Sequence, residues 1–142
     1  MLISYSELTE QIVALDERVR FAGISNKLGK IVASNYRKGL VPLLSEEETE
    51  QTIPQSVVKN SLQPILESKL GRTLYSITIY EKLKRVMIPL YDQYGSVGSV
   101  LLISFNIDTS SSDVESIILE RILPLVRGNE ERQRAYRRFY KG

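Results

Sequence analysis

The chain has 142 residues, of which 42% are hydrophobic and 25% charged, and its formal net charge is +2. This length and composition predict one domain with its own core. The sequence has no Cys and no His, which excludes disulfides, thiolate nucleophiles, Ser–His–Asp triads and the usual zinc sites. The first residues lack a basic and apolar leader, and no apolar run approaches the ~20 residues of a spanning helix. We therefore expect a soluble cytoplasmic protein with no membrane span.

A helix and a β-hairpin are predicted at the start of the chain. Ser4 and Glu7 have the spacing of a capping box, and apolar residues then recur with helical period, which predicts a helix over 5–17. The period changes to two over 18–34, where a Gly-containing turn separates two short strands. Gly23 lies inside the first strand and indicates a bulge or a close approach of another group.

The region 45–70 is predicted to be helical but interrupted. A second capping box opens it, and Pro54 and Pro64 each remove a backbone donor. Two packed helical segments are the favoured interpretation, and one bent helix at an interface is the alternative. Gly71 is expected to end the helix. The apolar stripe of this region consists of Val58, Leu62, Ile65, Leu66 and Leu70.

Three strands and a last helix complete the predicted order. Residues 73–80 alternate strictly, with Tyr75, Ile77 and Ile79 on one face. Residues 85–91 run back, and Pro89 there requires an edge, a bulge or a local loss of pairing. Residues 97–106 are apolar almost throughout, as in a central strand. A Ser-rich cap precedes the last helix, which Pro124 and Gly128 are expected to end.

The predicted order is therefore α-β-β-α-β-β-β-α. Short turns join most of the strands, which favours an α+β fold with a five-stranded, mainly antiparallel sheet and excludes a doubly wound parallel sheet. We expect one α+β domain over 1–127 and a basic, aromatic C-terminal tail over 128–142.

This order resembles the roadblock / dynein light chain superfamily, which is related to profilin-like folds. The resemblance covers about residues 4–127. In addition, the segments Asp16–Ser34, Tyr36–Glu48 and Leu70–Leu90 resemble an uncharacterised family of small single-domain archaeal proteins. The roadblock resemblance implies a homodimer in which the second helix and the third strand meet across a two-fold axis. It also implies a non-enzymatic scaffold or regulator, often beside small GTPases.

Two groups of residues are candidates for binding, and we find no catalytic, metal or cofactor site. The interface candidates implied by the resemblance are Tyr75, Ile77, Ile79, Val58 and Leu62. The anion-binding candidates come from the tail and from the turn before the fourth strand, because guanidinium and ammonium groups pair with phosphates. They are Arg132, Arg134, Arg137, Arg138, Lys141, Lys82, Lys84 and Arg85.

Three functions follow from these features. The first is a non-enzymatic regulatory or scaffold module that acts as a homodimer, with a protein partner such as a small GTPase. The second is a PAS- or Cache-like sensor of small molecules, with a cavity lined by Tyr75, Met87 and Phe105. The third is association with nucleic acid through the basic tail, although a tail that is solvated or docked on the protein explains the same residues.

Overall fold

The computed structural model describes residues 3–54 and 64–140. The elements are α1 (Tyr5–Leu15), β1 (Val19–Asn26), β2 (Ile31–Tyr36), α2 (Glu46–Gln51), α3 (Pro64–Leu70), β3 (Ser76–Ile79), β4 (Leu83–Tyr91), β5 (Val97–Asn106), α4 (Ser111–Ile117), a π-helical turn (Ile118–Ile122) and α5 (Leu123–Tyr140). The predicted α+β class and the order of the elements are confirmed. The middle of the predicted helical region, with the interface candidates Val58 and Leu62, lies outside the described residues.

One antiparallel sheet organises the molecule, with the strand order β2-β1-β5-β4-β3. The strand β5 lies in the centre of the sheet, as its composition predicts. Most of its residues are buried, because both faces of the strand are covered. On one face, α1 and the last helices pack on Ile24, Val86, Ile103 and other apolar residues to form the main core. A smaller cluster on the opposite face contains Phe21, Ile53, Met87, Val100 and Leu102.

The third strand is shorter than the predicted range 73–80. Its pairing with β4 begins at Ser76, opposite Met87, so Leu74 would face Pro89 in the same register. The carbonyl of Leu83 accepts from Tyr80, so the odd-numbered residues of β4 direct their main-chain groups toward β3. Pro89 has no N–H to give at that position, and the ladder therefore stops. The predicted local loss of pairing at Pro89 is confirmed.

The last helix does not end at Gly128 as predicted. Pro124 cannot donate to the carbonyl one turn earlier, and the preceding turn widens, so that the Leu123 N–H bonds to the Ile118 carbonyl. The helix then continues to Tyr140. Asn129 and Glu130 are buried, so the first residues of the predicted tail belong to a helix that packs on the domain.

Gly23 allows a close approach within β1, one of its two predicted roles. A Cβ atom at this position would lie 2.5 Å from Cζ of Phe21. The Phe21 ring is buried and packs against the Tyr36 ring at a tilt of 45°, with 4.5 Å between the ring centroids. The absence of a side chain at Gly23 therefore makes room for the ring that fills the smaller apolar cluster.

Candidate interaction surfaces

The predicted interface residues of the third strand have different environments. Tyr75 and Ile77 are partly buried and pack against the main core, and the Tyr75 hydroxyl lies 3.5 Å from a carboxylate oxygen of Glu115. Ile79, at the end of β3, is 59% exposed. Among these three residues, Ile79 is thus the one that leaves most of its apolar surface exposed.

Several large apolar side chains are exposed in α3, in β3 and in the segments beside them. The helix α3 and the segment that follows it leave large side chains in solvent, and Leu70 alone is 76% exposed. β3 is the last strand of the sheet and pairs only with β4 among the described strands. We call these exposed residues together the β3 patch; they are Ile65, Leu66, Leu70, Leu74, Ile79 and Tyr80.

The basic residues around the β3–β4 turn do not form one cluster. Lys82 is exposed, and the ammonium group of Lys84 donates to the carbonyl of Thr109. Arg85 follows Lys84 in the strand, so its side chain leaves from the opposite face of the sheet, and it is only 7% exposed. Three residues that are close in sequence thus have three separate environments.

Four arginines of the predicted tail are exposed on α5. At 100° per residue, Arg134, Arg137 and Arg138 lie along one side of the helix, whereas Arg132 points to the opposite side, where its guanidinium approaches Gly128. Lys141 lies outside the described residues. The helix therefore arranges part of the basic tail as a ridge.

Arg85 lines a pocket that was not predicted from the sequence. Its walls include Phe21, Tyr36, Leu40 and Leu43, and it holds about 30 Å³ of space that a water molecule can reach. Burial lowers the pKa of Arg85 and raises that of Tyr36. The signal for this pocket is the apolar connection 40–44 after β2, which covers the sheet only partly.

A polar groove lies between α1, the end of β2 and the loop after β5. The two guanidinium groups that line it have partners within the protein. Arg18 pairs with Asp16 and Asp113, and the Arg37 guanidinium donates to main-chain carbonyls of Val13, Asp16 and Val19. These contacts fix the end of α1, and they compensate both guanidinium groups without a ligand.

Tyr75, Met87 and Phe105, which were predicted to line a sensor cavity, do not lie around one common space. Phe105 and Tyr75 belong to the main core, whereas Met87 belongs to the cluster on the other face of the sheet. Successive residues of a strand point to opposite faces, which separates Met87 from Phe105. Among the described residues, no group of three or more acidic side chains could hold a metal ion. In the same part of the chain, no helix is long and apolar enough to cross a membrane.

Comparison with solved structures shows the roadblock fold. The chain is similar to the gliding protein MglB from Thermus thermophilus at 12% identity, with a TM-score of 0.63 over 93% of this chain and 96% of that one. It is also similar to a Roadblock/LC7 domain from Streptomyces avermitilis at 10% identity, with a TM-score of 0.57 over 94% and 98% of the two chains.

A third similar structure is a ligand-binding domain. The inducer-binding domain of the transcription factor PobR from Acinetobacter, solved with 3-hydroxybenzoic acid, gives a TM-score of 0.55 at 11% identity over 91% and 94% of the two chains. No protein-family model and no curated protein matches the sequence. The roadblock-like architecture predicted from the order of elements is thus confirmed, and the resemblance to an archaeal family stays a prediction.

Proposed function

We propose that the protein is a non-enzymatic regulatory or scaffold module that acts through protein contacts, and that it forms a homodimer through the β3 patch. The exposed apolar surface of that patch is the observation that carries the proposal. Six large apolar side chains are exposed between residues 65 and 80, and brought together on one surface they would exceed what a monomeric protein usually leaves in water.

An edge strand beside this surface strengthens the proposal. The outer side of β3 has main-chain groups without a neighbouring strand in the described sheet. Such an edge pairs readily with another chain unless it is protected. A second copy placed there by a two-fold axis would supply both a strand and an identical apolar surface, as an isologous interface requires. The roadblock resemblance implies the same pairing of helix and strand.

Measurement of molar mass in solution tests the homodimer. At micromolar concentration, light scattering coupled to size exclusion is expected to give twice the chain mass of 16.2 kDa. Ile79→Lys is expected to shift the mass to that of the monomer, because an ammonium group would enter the apolar contact. Leu28→Lys is the matched control, since Leu28 is also exposed but lies on the remote β1–β2 turn. A wild-type monomer, or an Ile79→Lys dimer, would overturn the proposal.

A small GTPase is the partner class that the roadblock resemblance implies. The β3 patch of each copy is occupied in the proposed dimer, so such a partner would bind a surface that both copies leave free. Titration of candidate GTPases into the wild-type dimer, followed by light scattering, is expected to give a larger complex. The absence of such a complex with GTP-bound and GDP-bound forms would contradict this partner.

The basic ridge on α5 favours a second function, association with nucleic acid. Arg134, Arg137 and Arg138 are exposed along one side of the helix, where they could contact successive phosphates. Binding would weaken steeply as the salt concentration rises. The combined substitution Arg134→Glu and Arg138→Glu is expected to abolish it, and Arg132→Glu on the opposite side should reduce it less. Equal binding by both variants would exclude the ridge as the site.

A further inference from the structure

Arg85 is a buried cation without an anionic partner among the described residues. Its side chain leaves β4 toward the smaller apolar cluster and is 7% exposed. Nη1 donates a hydrogen bond to the hydroxyl of Thr52 at 2.7 Å, and the Tyr80 ring lies 6.0 Å from the guanidinium. Nε, which is buried, has no hydrogen-bond partner in the described part of the chain.

This arrangement is unusual because a buried charge is normally paired. Removing a guanidinium from water costs several kcal/mol unless hydrogen bonds and an opposite charge compensate it. All 17 acidic residues of the chain lie in the described part, and none of the ion pairs there includes Arg85. The guanidinium of Arg85 is therefore held in a fixed position, and among the described residues its Nε–H is free to donate a further hydrogen bond.

The surroundings of Arg85 indicate which kind of ligand group could pair with its guanidinium. The pocket has an apolar wall formed by Phe21, Leu40, Leu43 and Leu44, and its volume of about 30 Å³ admits one small polar group rather than a whole molecule. The neighbouring cation, Arg20, is already bound to the side-chain oxygen of Asn106 at 3.1 Å. One guanidinium in an apolar setting suits a single negative charge rather than a phosphate dianion, which needs several donors.

We propose that the Arg85 pocket binds the carboxylate of a small organic acid with a short apolar body. The carboxylate would accept from the guanidinium at the inner end of the pocket. The apolar part would lie against the Leu40 and Leu43 side chains toward the mouth. This site is on the opposite side of β4 from the main core, and the proposal does not depend on the homodimer.

Titration of the full chain with sodium propionate and sodium benzoate tests this site. Nuclear magnetic resonance is expected to show saturable shifts of amide signals near residues 40–44 and 85. Propionamide, which has the same shape without the charge, should give none, and sodium chloride at equal ionic strength controls for salt. Failure of both acids to give a saturable response would overturn the proposal.

Variants locate the response. Arg85→Met keeps much of the length of the side chain and removes the charge, so affinity should fall about tenfold or more, as expected for loss of a charge-assisted hydrogen bond. Lys82→Met is the matched control on the same hairpin and should bind like the wild type. Without ligand, Arg85→Met should be at least as stable as the wild type, because an uncompensated buried charge is removed.

A second substitution keeps the test decisive if Arg85→Met does not fold. Leu43 is half exposed at the mouth of the pocket, so Leu43→Asp should leave the fold intact and repel an incoming carboxylate. Loss of the propionate response in Leu43→Asp supports the site. An unchanged response in Arg85→Met or in Leu43→Asp would overturn it. Acidic peptides that bind where both small acids fail would also contradict it, since the carboxylate would then belong to a protein partner.

Discussion

Asp16 accepts three hydrogen bonds from Arg18, one from the main-chain N–H and two from the guanidinium, each at 2.9 Å. Asp16 directly follows α1, and Arg18 directly precedes β1. Arg121 of the π-helical turn approaches the same carboxylate at 3.5 Å. The pair therefore fixes the sharp change from helix to strand and ties it to the last helix.

Stability should depend on pH through this pair. The side-chain hydrogen bonds from Arg18 lower the pKa of Asp16 from 3.8 to about 2. Because the folded pKa is below the unfolded one, the stabilisation is fully present above pH 3.8 and is lost as the pH falls toward 2. Asp16→Asn should therefore reduce the free energy of unfolding near neutral pH by about 1–2 kcal/mol.

Urea unfolding of wild type and Asp16→Asn at several pH values checks this expectation. The difference between the two proteins should shrink as the pH falls from about 4 toward about 2. Glu17→Gln, at the exposed neighbouring position, is the control and should change stability little at any of these pH values. A difference that stays constant with pH would show that the Asp16 charge is not responsible.

Arg37 closes the end of α1 from a distant part of the chain. Its Nε donates to the carbonyl of Val19 at 2.8 Å, and its Nη2 donates to the carbonyls of Val13 and Asp16. The last carbonyls of a helix lack partners within the helix, so Arg37→Gln would leave several acceptors unsatisfied. We expect a loss of about 2 kcal/mol or more in thermal or urea unfolding. Lys38→Gln, on the exposed neighbour, should be nearly neutral, and equal effects of the two substitutions would contradict the role of Arg37.

The sequence allowed the strands and the first helix to be predicted because their signals are local. Alternation, capping boxes and turn glycines act over a few residues, and the ranges for α1 and β5 agree with the structure to within about two residues. The predicted end of the last helix was wrong because Pro124 can be accommodated by a wider turn. That outcome depends on how the buried residues Ile118 and Ile122 pack, which is not a local property.

The candidate sites were harder to predict for a related reason. Arg85 was singled out as one cation of a basic turn, but the fold buries it on the opposite face from the main core. Its surroundings combine β1, the connection after β2 and β4, and no single segment of sequence contains that combination. The exposure of the apolar side chains of α3 could not be predicted either. Helical periodicity predicts an apolar stripe, but it does not show whether another part of the same chain covers that stripe.

Gly23 should be intolerant of even a methyl group. A Cβ atom there would meet the Phe21 ring at 2.5 Å, whereas at Gly98, also within a strand, the nearest atom would be 3.4 Å away. We expect Gly23→Ala to destabilise the protein by about 1–3 kcal/mol, and Gly98→Ala by less. Combining Gly23→Ala with Phe21→Leu should give a smaller loss than the sum of the two single changes. Strict additivity in urea unfolding would argue against the contact.

Glu130 attaches the start of the predicted tail to the sheet. One of its carboxylate oxygens accepts from the Tyr91 N–H at 2.8 Å, and the other accepts from the Arg127 guanidinium at 2.6 Å. Because Glu130 is buried, Glu130→Ala removes both acceptors and leaves a main-chain donor and a partly buried cation without them. The loss of stability should be about 2–4 kcal/mol.

The exposed neighbour Glu131 provides the matched control, and Glu131→Ala should change stability by less than about 0.5 kcal/mol. Hydrogen exchange should show faster opening of β4 near Tyr91 in Glu130→Ala, since that amide loses its acceptor. If the two substitutions gave the same small change, the residues after 128 would not be anchored to the domain. The basic ridge would then sit on an independent tail, and its arginines could not be held in a fixed position relative to the sheet.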